Sequence, residues 1–247
     1  MKDHVSLATA IETSGYAVRS GIFSEGEAAG LRKTLTDWSA SHSNAEAHAT
    51  GGIRISLRDC PAALEAARAP TLLSNVRSVL GEGASPVRAI LFDKTPDANW
   101  KVAWHQDLTI AVEQRHETEG YSSWSEKDGI SHVQPPPELL NRMLTARIHL
   151  DACGMENGPL RVIPGSHRNG RLSAAQIQAH RQETPETFCI AGIGDVLFMR
   201  PLILHASSAA THPAHRRVLH IEYAAESLPG GLAWHEQQTD AQKPQAL

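Results

Sequence analysis

The chain has 247 residues, 41% hydrophobic and 20% charged, which is ordinary for a soluble globular protein and enough for one full core. A formal net charge of -4 speaks against nucleic-acid or anionic-membrane partners, which favour basic surfaces. The three cysteines, Cys60, Cys153 and Cys189, are scattered and lack C-x-x-C spacing, which argues against a disulfide framework or a zinc ribbon.

The opening residues carry no apolar signal core, and no apolar run approaches the length of a membrane span, so the cytoplasm is the expected location. Residues 15–18 read as a short strand. Ser24 followed by Glu27 has the spacing of a capping box and opens an amphipathic helix through Leu31, Leu35 and Trp38. Residues 44–52 are small and polar, a loop. Residues 53–58 alternate as a strand with Arg54, Ser56 and Arg58 on one face. Two helical pieces follow at 62–68 and 72–80, the second closed by Gly81. Residues 1–86 thus form a mostly helical buttress.

From residue 87 the pattern turns to strands, at 87–94, 102–112, 145–151, 160–163, 195–199 and 217–223, with one helix at 174–182. Turn signals such as Glu156-Asn157-Gly158-Pro159 and Gly192-Ile193-Gly194-Asp195 separate several of them. Helices before strands predict a single domain over 1–247, mainly β with flanking helices: a β-barrel or a double-sheet jelly roll. Residues 113–144, with Trp124, His132 and three consecutive prolines, read as a lid loop. Lys94, beside a proline-containing turn, is expected to be exposed.

Fourteen histidines direct the search towards a metal site. In Trp104-His105-Gln106-Asp107, strand alternation sends His105 and Asp107 to the same side, where an imidazole and a carboxylate can take adjacent corners of one divalent metal. A third ligand must come from elsewhere, and His205 lies in another strand-like segment. Two histidines and one carboxylate make a facial triad with three corners open.

The company of these residues is more specific than the triad. The chain resembles the phytanoyl-CoA dioxygenase family of iron- and 2-oxoglutarate-dependent oxygenases in Trp104-His105-Gln106-Asp107, in Leu150-Asp151 followed by Glu156 through His167, in Gly194 through Phe198, and in His205-Ala206-Ser207 with Arg216 beyond it. The resemblance implies a double-stranded β-helix (a jelly roll, cupin-like barrel) with His105, Asp107 and His205 on Fe(II), and 2-oxoglutarate and O2 as co-substrates. It places the far carboxylate of 2-oxoglutarate on Arg216, eleven positions after His205 (216 - 205), and on Ser207. It puts Arg54 and Ile90 near the same molecule. Arginine suits a carboxylate because its planar fork donates two parallel hydrogen bonds.

The strand at 145–151 carries Thr145, Arg147, His149 and Asp151 on one face, costly in a core unless these groups are paired or line a site. Arg147 falls where resembling proteins often have an aromatic. With Trp104, Trp124 and His132 it is a candidate contact for a small-molecule substrate. His220 shares a strand face with Arg216. The implied reaction is hydroxylation of a C–H bond, with release of succinate and CO2. The aspartate at 107 separates this pattern from related halogenases. Two other readings stand beside it: a redox-inert metal-dependent hydrolase, and a non-catalytic binding protein on the same fold.

Overall fold

A computed structural model describes residues 5–42 and 52–236; most of the loop expected at 44–52 lies outside them. Thirteen strands among these residues form three sheets. The larger one runs, in spatial order, β1 (Tyr16–Arg19), β11 (Val196–Met199), β8 (Leu144–His149), β13 (Arg216–Ala224), β3 (Ser85–Lys94) and β2 (Ile53–Ile55). A smaller one runs β10 (Thr187–Cys189), β9 (Leu160–Val162), β12 (His205–Ser207) and β4 (Val102–His105). These antiparallel sheets face each other as the halves of the barrel expected from the sequence.

Alternation along the strands of the large sheet separates two environments. Ala89, Leu91, Ile148, Phe198, Leu219 and Ile221 point outward into one core cluster. Helices α1 (Leu7–Ser14), α2 (Glu25–His42), α3 (Pro61–Ala67) and α4 (Pro70–Leu80) cover that face through Ile11, Leu35, Ala63, Leu72 and Val76. The alternate residues point inward: Arg88, Ile90, Phe92 and Lys94 on β3, and Thr145, Arg147 and His149 on β8. Every residue of β8 is therefore buried, and its polar face looks into the barrel rather than into solvent.

The predicted capping box closes on itself: Ser24 N donates to Glu27 Oε2 at 2.7 Å, and Glu27 N to Ser24 Oγ at 3.2 Å. Helix α1 was not anticipated. Its signals are the Ser6 cap, which accepts from Thr9 N, and Gly15 at φ 82°, a left-handed stop followed directly by β1.

Three expectations need correction. Residues 53–58 are strand only as far as Ile55. Residues 102–112 break into β4 and β5 (Ile110–Val112), so Asp107 lies beyond the strand that carries His105. Residues 113–144 are no bare loop: β6 (Ser122–Lys127) and β7 (Ile130–Gln134) form a hairpin that pairs with β5, and α5 (Pro137–Asn141) follows. This small sheet has its own apolar filling, Ile110, Val112, Val133 and Trp234 among others, which is why it is ordered.

Gly194, in the turn before β11, has φ 80°, and a Cβ there would strike the carbonyl of Phe23. A left-handed conformation costs an L-residue roughly 1–2 kcal/mol before any clash. Gly194→Ala is therefore expected to destabilise the fold by at least about 2 kcal/mol, lowering Tm by roughly 4–8 °C in a thermal melt.

Candidate active site

His105, Asp107 and His205 come together between the two main sheets. One ligand atom from each lies within 4.8 Å of the others. His105 Nε2 is 3.8 Å from Asp107 Oδ1, and His205 Nε2 is 3.7 Å from Asp107 Oδ2. The histidines are direct partners in the β12–β4 ladder, and their ring centroids are 4.1 Å apart. Each uses Nδ1 on its own chain, His105 on Ala103 O at 2.8 Å and His205 on Ile203 O at 2.9 Å. A carbonyl only accepts, so Nδ1 carries the proton and Nε2 turns its lone pair towards the centre.

Asp107 reaches the centre although it is off the strand, because Gln106 pins the bend. The Gln106 amide donates to Gly170 O and Leu202 O at 2.8 and 2.7 Å and accepts from Leu172 N at 2.8 Å. Asp107 N donates to Pro201 O at 2.9 Å. These bonds tie the 105–107 segment to the chain entering His205. Burial pushes the Asp107 carboxyl up, but His205, His220, His105 and Arg88 outweigh it and hold it at about 2. Burial, opposed by Asp107, takes His205 down to about 4. An ionised carboxylate and a neutral imidazole are the forms that bind a metal.

Beyond Ser207, at the end of β3 and the start of β13, is a cationic pocket. Arg216 and Lys94 are register partners. Arg216 Nη1 donates to Gly158 O, where Gly158 sits at φ 60° in the predicted turn. Lys94 is 1% exposed, against expectation; its ammonium donates to Ser208 O at 2.7 Å and Ser207 Oγ at 3.3 Å. The β3 alternation turns it inward, and the neighbouring turn does not change its face. Burial, reinforced by Arg216, pushes Lys94 down to about 7. Arg147 is also buried, at about 10 for the same two causes. None of the three forms an ion pair among the described residues; the acidic groups that act on them are the Cys153 thiol and, on Arg147, the Asp107 carboxylate. Arg147 Nε and Arg216 Nε are buried without a partner. Buried cations lacking counter-charge cost several kcal/mol each, a cost that an anion among them would relieve.

Arg147 Nη1 donates to His220 Nδ1 at 2.7 Å. The proton of His220 is therefore on Nε2, which faces Glu222 Oε1 at 3.4 Å; Arg88 donates to the same oxygen at 3.2 Å. His220 thus reaches the interior, as its period suggested. Asp151, expected on the same face as Arg147, lies past the strand end and is clasped by Arg217 and Arg32.

A cavity of about 630 Å³ opens onto His105 and Asp107, lined also by Arg54, Ile90, Phe92 and Glu222. Trp104, Trp124 and His132 do not line it. Trp104 is on the opposite face of β4 from His105 and packs against Ile163, Leu172 and Leu204. Trp124 belongs to the small-sheet core, with Arg115 over its ring at 5.4 Å. His132 is wholly buried in β7 with Nδ1 on Ile130 O, and burial takes it down to about 4. Lys94 and Gln106 were the residues missed. For Lys94 the signal was present, since it continues the Arg88, Ile90, Phe92 alternation.

None of the curated proteins matches the chain. Among solved structures of similar fold is the non-heme α-ketoglutarate-dependent carbocyclase SnoK from nogalamycin biosynthesis, 17% identical over 90% of this chain and 84% of that one, TM-score 0.68. Another is EctD from S. alaskensis, in a structure with 2-oxoglutarate and 5-hydroxyectoine, 23% identical over 91% of this chain and 78% of that one, TM-score 0.67. A third is HygX from Streptomyces hygroscopicus with nickel and 2-oxoglutarate bound, 18% identical over 87% and 84% of the two chains, TM-score 0.61. The phytanoyl-CoA dioxygenase family model matches residues 11–218, a span that takes in the triad, the turn at Gly158 and Arg216, and the chain belongs to that family.

Proposed function

We propose that this chain is an Fe(II)- and 2-oxoglutarate-dependent dioxygenase that hydroxylates an unactivated C–H bond of a small organic molecule, releasing succinate and CO2. The observation that carries it is the group of three buried, uncompensated cations beside a two-histidine, one-carboxylate triad. A redox-inert hydrolase has no use for such a group, and a dicarboxylate that also chelates a metal has one.

His105, Asp107 and His205 would hold the iron through two imidazole nitrogens and a carboxylate oxygen. With 2-oxoglutarate, the bound metal supplies oxygen activation: one oxygen atom goes to succinate and the other to the substrate. Arg216 and Lys94 neutralise the far carboxylate, and Ser207 donates to it. Arg147 adds positive charge from β8 and is held in place by His220. Ile90 provides an apolar wall for the carbon chain. Arg54, across the ladder from Ile90, borders the same space. The inward faces of both sheets keep water from the reacting carbon.

Two outcomes are expected. Purified protein given Fe(II), O2 and 2-oxoglutarate forms succinate, and Asp107→Ala reduces this to background. Loss of even a supporting contact to a ligand costs 10–100-fold in metal affinity, so loss of the ligand itself is expected to cost at least about 100-fold in Fe(II) binding. Unchanged turnover in the variant would refute the assignment.

Lys94→Met is expected to raise the KM for 2-oxoglutarate roughly 10–100-fold, the range of one charge-assisted hydrogen bond, with a smaller effect on kcat. A bound dianion needs Lys94 protonated, while the free site holds it near 7. Affinity of the wild type should therefore be greatest below pH 7 and fall as the pH rises towards 9. In Lys94→Met that slope should flatten; an identical slope would remove Lys94 from the site.

A further inference from the structure

A second group of cations stands at the other end of the same sheet face, away from Lys94 and Arg216. Arg88 precedes Lys94 by six residues on β3, roughly 20 Å along an extended strand. A carboxylate resting on Lys94 and Arg216 therefore does not also rest on Arg88, which stands nearer the Asp107 end of the cavity. Arg88 lines the cavity with Lys101 and Lys127. Lys127 ends β6, and the β6–β7 hairpin brings it to the cavity; the turn residue Asp128 is fastened by Arg54 at 2.5 Å.

The charges here do not balance. Asp128 answers Arg54, and Glu222 answers Arg88 at 3.2 Å while also facing His220. Lys127 forms no ion pair among the described residues. Burial, then Arg88 and Arg54, push its ammonium below the usual lysine range, against the weaker pull of Asp107 and Glu222. Arg88 Nε is buried without a partner. A half-buried ammonium among guanidinium groups is unfavourable until an anion joins it. The cavity also has an apolar side, with Ile90, Phe92, Trp100 and Leu108.

We propose that the substrate is a small oxyanionic acid, a carboxylate or a phosphate monoester, with its anionic group on Lys127 and Arg88 and its apolar body against Phe92 and Leu108. This rests on the oxygenase reading above and names the substrate class of that site. The hairpin then acts as part of the binding wall, because it delivers Lys127 to the cavity opposite Arg88 of the large sheet.

The test loads the full chain with Ni(II) and saturating 2-oxoglutarate and titrates it calorimetrically with 4-phenylbutanoate, 4-phenylbutanamide, phenyl phosphate and phenol. At least one acid is expected to bind about 10-fold or more tightly than its neutral counterpart, and the two acids tell which oxyanion is preferred. Lys127→Ala should abolish the preference for acid over neutral probe, and Lys127→Glu should invert it, with affinity for 2-oxoglutarate retained in both. Equal binding of acid and neutral probes, no binding of either acid, or a preference that survives in both variants would overturn the proposal. Failure of the metal-loaded wild type to bind 2-oxoglutarate at all would instead overturn the oxygenase reading.

Discussion

A sheet face enclosed on both sides forces each polar group on it to be paired or to await a ligand, because an unpaired charge there has no water to turn to. The inner face of the large sheet is such a surface. It carries Lys94, Arg216, Arg147, His220, Glu222 and Arg88, all but Arg88 less than a tenth exposed. Only the last part of this row is balanced from within, by Glu222. Much of the site follows from that imbalance.

The row is also connected. Arg147 donates to His220, His220 faces Glu222, and Glu222 accepts from Arg88. Each member fixes the proton position of the next, so the imidazole has one tautomer and the glutamate remains an acceptor. The chain of bonds leads from the anion pocket beside Ser207 to the mouth beside Lys127. Its members come from β8, β13 and β3, adjacent strands in one register. The geometry therefore depends on pairing rather than on any loop.

The metal centre is built differently. Its histidines are ladder partners on the small sheet, but Asp107 hangs on a bend held by Gln106 and by Pro201 O. The simple expectation that one strand carries both His105 and Asp107 does not hold, although the two side chains do converge. An extended strand would place the aspartate two residues on by alternation; here side-chain hydrogen bonds to Gly170, Leu172 and Leu202 do that work. A buried amide in the middle of a metal motif reads as a spacer until its partners are seen.

By itself, the order of residues determined what is local or periodic. It marked the helical beginning and strand-rich remainder, the capping box at Ser24, the turn at Gly158, the polar face of β8, and a histidine–acid pair with a distant histidine and arginine. Tertiary structure alone decided which faces became interior. Period-two alternation says that residues share a side, not which side meets the partner sheet. Hence Lys94 proved buried, Trp104 turned away from the metal, and Trp124 and His132 entered a separate core. The hairpin of β6 and β7 escaped notice because its strands are short and polar, and they are stabilised by packing against Val112 and Trp234, residues distant in the chain.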